Sequence, residues 1–239
     1  MRSLCVAVAV CTGSTALAQL AIVGNVTGAY EDISGTGTAL NLGDDGQITI
    51  QVPFTNLVFT SNIVTISNNL AIGFGPAAAA SSAAPTNSLL PSNALFDGEQ
   101  ALCVLWDNPG QNLPAANVYY QEFIDHYTIQ WHRLPKGAPG STIIAEVQVF
   151  DGGGSRSNKF AQMFYPDVEQ PGVRALGTVG YQSARGTTQF NDINYSFNSN
   201  NVEFINNNTV LTLIPGPSAG ALLAGAAGAA AMMSRRRKV

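Results

Sequence analysis

The chain has 239 residues, enough for one sizeable domain, and its 46% hydrophobic content supplies an ample core. Only 11% of residues are charged, and the many Gly, Asn, Ser and Thr residues suit short strands joined by turns, not helices stitched by ion pairs. Residues 19–214 carry six Lys and Arg against fifteen Asp and Glu, a balance of −9, which repels phosphate backbones and excludes nucleic acid as a partner.

In chain order, Arg2 precedes an apolar stretch over 4–10, and Ala16-Leu17-Ala18 puts small side chains at −3 and −1 of a cut between Ala18 and Gln19. Residues 1–18 therefore read as a secretory signal peptide, its helix too short for the roughly 20 apolar residues a bilayer requires. Val10 before Cys11 argues against a lipoprotein start. Cleavage would remove Cys5 and Cys11 and leave Cys103 alone. Within the apolar run 101–106 it reads as a small buried hydrophobe, and no intramolecular disulfide is possible.

Residues 19–213 read as one all-β domain. Strands are predicted over 47–52, 63–67, 70–74, 101–106, 118–121, 127–131, 142–150, 159–164, 178–182, 194–197 and 209–213. Tyr127, Ile129 and Trp131 share one face, with Thr128, Gln130 and His132 on the other. Ala145, Val147 and Val149 oppose Glu146 and Gln148 in the same way. Period-2 alternation of this kind marks half-buried antiparallel strands. Asp151-Gly152-Gly153-Gly154-Ser155 is a hairpin loop, and the Ala-rich stretch 77–84 a loop or helical turn. About eleven short strands indicate an antiparallel two-sheet sandwich, jelly-roll-like in connection.

Candidate chemistry is sparse. His126 and His132 lie six apart on one predicted strand, too far to share a metal ion, and both fall on its polar face as solvated residues. No Gly-x-Ser-x-Gly elbow accompanies them, so no catalytic residue is assigned. Asn41, Asp44 and Asp45 before Gly46 are weak calcium candidates. The EF-hand spacing fails, however, and an Asp-Gly turn accounts for the same residues, so no cofactor is expected. Asp107 reads as a cap on the loop that holds Pro109 and Gly110, and Asp125 stands beside His126 without a defined carboxylate partner. Tyr119, Tyr120, Tyr127, Trp131, Phe150, Phe164, Tyr165 and Tyr181 are numerous enough to line a sugar-binding face, although such rings fill the core of most sandwiches.

The tail, 214–239, opens with Pro215-Gly216-Pro217, runs uncharged from 218 to 233, and closes on Arg235, Arg236, Arg237 and Lys238. The cationic cluster belongs on the cytoplasmic side of a membrane, which leaves the domain before it outside. The short helix over 219–233 would reach about 22 Å against a hydrocarbon core of about 30 Å. An ordinary single-span anchor is the competing reading.

The tail resembles the PEP-CTERM sorting signal, in which a Pro-x-Pro motif, a hydrophobic helix and an Arg cluster direct a protein to an exosortase. Here Gly216 stands where Glu is usual. The resemblance implies an exosortase-type processing enzyme as partner, transient membrane anchoring through the tail, and release to the envelope or an exopolysaccharide matrix. Within the body, Leu42-Gly43-Asp44-Asp45-Gly46, Ser67-Asn68-Asn69, Gly73-Phe74-Gly75, Val104-Leu105-Trp106-Asp107, Val118-Tyr119-Tyr120-Gln121 and Thr128-Ile129-Gln130-Trp131 resemble a nidogen-like extracellular domain of bacterial secreted proteins. That likeness implies a non-catalytic sandwich. The expected function is a non-enzymatic, exported surface or matrix protein. The alternatives are a carbohydrate-binding module attached to exopolysaccharide and, third, a secreted hydrolase.

Overall fold

A computed structural model describes residues 19–24, 27–109, 117–135, 141–151, 159–168, 177–185, 191–197, 205 and 207–216. Ala18, Pro217, Arg235, Arg236 and Arg237, and with them both expected terminal helices, lie outside these residues. Among the described residues no helix is long and apolar enough to cross a membrane.

Among the described residues thirteen strands form two antiparallel sheets. The first contains β1 (Leu20–Gly24), β2 (Thr38–Ala39), β7 (Val118–Glu122), β8 (His126–Pro135), β9 (Thr142–Phe150), β10 (Ala161–Asp167) and β13 (Thr209–Pro215), in the order β1-β13-β10-β9-β8-β7-β2. The second holds β3 (Gln47–Gln51), β4 (Ile63–Ser67), β5 (Ala71–Phe74), β6 (Ala101–Trp106), β11 (Thr178–Gln182) and β12 (Ile193–Phe197), in the order β12-β11-β6-β5-β4-β3.

Every strand read from the sequence is present, and β1 and β2 are additional. The connectivity differs from the jelly roll expected. A jelly roll passes from sheet to sheet at most of its connections, whereas here β3 to β6 form one meander and β7 to β10 another. Short turns such as Asn68–Asn69 and residues 123–125 join neighbours directly, so consecutive strands stay in the same sheet.

Inward side chains of the two sheets make one core. Tyr127, Ile129, Trp131, Ala145, Val147, Val149, Met163 and Leu211 face Val64, Ile66, Ile72, Phe74, Leu102, Val104 and Val179. Polar atoms in this layer find partners across it. The Trp131 Nε1–H donates to the Ser67 carbonyl at 2.8 Å, and the Tyr165 hydroxyl donates to the Val104 carbonyl.

The outer face of the second sheet is covered as well. Residues 75–100 leave β5, form a single helical turn α1 (Pro76–Ala79), and fold back as an apolar flap. Ala78, Ala83, Leu90, Leu95 and Phe96 of the flap meet Ala71, Ala101, Cys103 and Trp106 in a separate buried cluster. Small residues on the sheet make this possible: a Cβ at Gly73 would stand 2.8 Å from Ala78 Cβ and 2.9 Å from Phe96 Cγ. Cys103 is free and buried, as its apolar setting implied, and burial pushes its thiol up.

Candidate functional site: a histidine between two carboxylates

The outer face of the first sheet carries Thr128, Gln130, Glu146, Gln148, Gln162 and Thr212, and all six are at most 1% exposed. Alternation alone would leave them in water. They are buried because residues 27–37 cross the face as a strap, between β1 and β2 in sequence. The strap's backbone bonds to the sheet's side chains. Gln130 Oε1 accepts the Ile33 N–H at 2.7 Å, Glu146 Oε1 accepts the Glu31 N–H at 3.3 Å, and Gln148 Nε2 donates to the Ala29 carbonyl at 2.9 Å. The Gln130 amide also donates to the Tyr30 hydroxyl at 2.7 Å and to Asp32 Oδ1 at 3.1 Å. Ile33 plugs inward, and the strap ends in a turn where Gly37 N–H donates to the Ile33 carbonyl at 2.7 Å.

This arrangement corrects the expectation that both histidines are solvated. His126 is 3% exposed. Its Nδ1 lies 2.7 Å from Asp125 Oδ1 and its Nε2 2.9 Å from Glu31 Oε2, while its ring stacks on Phe123 with centroids 4.5 Å apart. Satisfying both carboxylates at once needs a proton on each ring nitrogen, or one on a carboxyl group. His132, half-buried at the strap's far side, lies with Nδ1 3.2 Å from Gln130 Nε2. Burial lowers its pKa, against the opposing pull of the Asp32 carboxylate.

Glu146 is the most perturbed acid. Burial pushes its carboxyl up to about 8, and the nearby Glu31 and Asp32 charges add to that against hydrogen bonds from Gln148 and Glu31. Its Oε2 and the Thr128 hydroxyl are buried without a hydrogen-bond partner. Asp32 moves the other way: the Ser34 hydroxyl holds its carboxyl below the usual range. Both ring nitrogens of His126 thus face carboxylates.

The calcium candidates fall in a turn. Asn41 and Asp45 take left-handed backbone (φ 50° and 53°), and Gly46 N–H donates to the Gly43 carbonyl at 2.9 Å. Asp45 Oδ1 accepts from Asn69 Nδ2 at 3.2 Å. Among the described residues no three His, Cys, Asp or Glu side chains are grouped to hold a metal ion. The Asp107 N–H donates to the Asn69 carbonyl at 3.2 Å. Of the eight aromatic residues considered for a sugar face, Tyr127, Trp131, Phe150, Phe164, Tyr165 and Tyr181 are buried. Tyr119 and Tyr120 are half-buried.

Sequence reasoning missed a polar hollow of about 350 Å³ at one end of the second sheet. Its walls are the loop Pro91, Ser92, Asn93 and Gly98, the segment Ser183–Arg185 after β11, and Asp192 just before β12. Buried Gln182 fixes the loop: its Oε1 accepts the Ser92 N–H at 2.6 Å, and its Nε2 donates to the carbonyls of Leu95 (3.3 Å) and Glu99 (2.9 Å). Arg185 N–H donates to the Gly98 carbonyl at 2.8 Å, and Asp192 Oδ1 accepts both the backbone N–H and the hydroxyl of Ser183.

The chain matches no known family. Compared with protein-family models, curated proteins and solved structures, it finds no match in any of the three.

Proposed function

We propose that this chain is a non-enzymatic protein exported to the cell surface or extracellular matrix, carried there by a cleaved leader and a PEP-CTERM-like tail. The supporting observation is where the folded body closes. Strand β1 pairs with β13 from Leu20↔Pro215 to Gly24↔Leu211, and the Gly216 N–H donates to the Gln19 carbonyl at 2.6 Å. These paired ends lie next to the proposed Ala18/Gln19 cut and to the Pro215-Gly216-Pro217 motif, which supports reading 19–213 as one body. A nidogen-like ancestry, an exosortase-type partner, and helices for the signal and the tail are parts of the same reading. His126 lends a hydrolase no support, since Glu31 and Asp125 occupy both of its ring nitrogens.

Intact-mass measurement on the native host's fractions tests this. A species that starts at Gln19 is expected in the envelope or medium. Replacing Arg235, Arg236 and Arg237 with Ala should impair both retention and processing of the tail. The full-length chain in the cytosol, or a variant with unchanged mass and fractionation, would overturn the proposal. A second reading, a carbohydrate-binding module, is favoured by the hollow beside Arg185, not by the aromatic residues.

A further inference from the structure

We infer that the hollow formed by Asn93, Gly98, Ser183, Arg185 and Asp192 is a binding site for neutral hexose units of a polysaccharide. The inference rests on the carbohydrate reading and gives it a place. Hydroxyls of a sugar both donate and accept, so a site that reads them needs both kinds of group within a small space. Arg185 supplies a planar fork of donors and no acceptor. Asp192 supplies acceptors only, and the Asn93 amide supplies both. Planar groups of this kind match neighbouring hydroxyls on a pyranose ring two bonds at a time.

Three features support this use. First, Arg185 and Asn93 both line the hollow, and among the described residues neither side chain is tied up in a hydrogen bond. Second, the walls are pre-set. Gln182 clamps the loop on one side and Ser183 holds Asp192 on the other, so little ordering cost remains for binding. Third, Gly98 keeps the hollow open. At φ +80° it takes a backbone form that side chains disfavour, and a Cβ there would stand 2.9 Å from Asn93 Oδ1 and 3.6 Å from Arg185 Cβ. The volume of about 350 Å³ sits at the small end of the roughly 300–1,000 Å³ range for ligand clefts, which suits a sugar unit within a longer chain. Neutral sugars fit better than acidic ones because Asp192 offsets Arg185 and the body carries −9.

The test uses the mature protein recovered from its producing cells, with laminarin, dextran and mannan as neutral probes and alginate as the acidic one. Binding to at least one neutral polysaccharide is expected. Arg185→Ala and Asn93→Ala should each weaken it about tenfold or more, with thermal midpoints unchanged. Arg185→Lys should weaken it as much as Arg185→Ala, because a point charge does not replace the fork. Failure of the wild type to bind any of the four would remove the carbohydrate reading itself. Binding that survives Arg185→Ala and Asn93→Ala would leave that reading standing and overturn this site. Preference for alginate, retained by Arg185→Lys, would reduce the site to charge attraction and overturn the assignment to neutral sugars.

Discussion

The sandwich has two outer faces, both covered, and the covers are of opposite material. Over the second sheet the flap is apolar: Leu95 and Phe96 press on Ala101, Cys103 and Trp106, and stability there comes from area removed from water. Over the first sheet the strap is polar, and its backbone is held by Gln130, Glu146 and Gln148. An apolar cover is insensitive to pH and fails by leaving a cavity. A polar cover responds to every proton gained or lost beneath it and fails by leaving unpaired groups. Strand burial alone therefore says little about how a face will respond to a change in conditions.

The sharpest attack on the dry cover is Phe96→Ala. Phe96 is fully buried, and truncation should cost about 3–5 kcal/mol, read as a lower denaturant midpoint that is the same at pH 5 and pH 9. A loss that varied with pH would blur the contrast. The matching test of the wet cover is Glu146→Gln. With a folded-state pKa raised from 4.5 to about 8, Glu146 contributes most when protonated, below its unfolded value. That contribution is lost as pH rises through about 8. The variant should thus match the wild type at pH 5 and be more stable at pH 9, on the order of 3 kcal/mol. Equal melting curves at both pH values would show that Glu146 is not held in this way.

A smaller effect, about 1–3 kcal/mol, is expected from Gln130→Ala, which strands the Ile33 N–H and removes partners from Tyr30 and Asp32. Hydrogen exchange gives the more telling readout. The amide of Ile33 should lose protection, while those of β9, such as Val147, keep theirs. Loss of protection across the whole sheet would mean that the strap is part of the core and not a cover.

The same contrast explains what was legible in the sequence. The apolar run of β6 was read as a strand with Cys103 buried in it, and the structure goes further and buries all six of its residues. Alternation in β8 and β9 identified the inward residues correctly but gave their partners to solvent. One signal was available: those outward positions are mostly Gln and Thr, not the Lys and Glu that solvated strand faces favour. Of the two strands missed, β1 adjoins the apolar N-terminal stretch of the sequence and blends into it, and β2 has two residues, too few to show a period. The strap has no periodicity, and its burial depends on side chains some hundred positions away, as with Ile33 and Gln130 (97 apart). The hollow is likewise assembled from pieces that no local motif connects, 91–93 with Gly98, 183–185, and Asp192.

The meeting of Gln19 with Gly216 also has a mechanical consequence. Because β1 and β13 run antiparallel, both ends of the body leave from the same corner, at the Leu20↔Pro215 rung. A pull that drew these ends apart would not shear the whole ladder at once. It would peel the two strands like a zipper, one rung at a time, so the corner would yield at low force while the sheets behind it kept their shape.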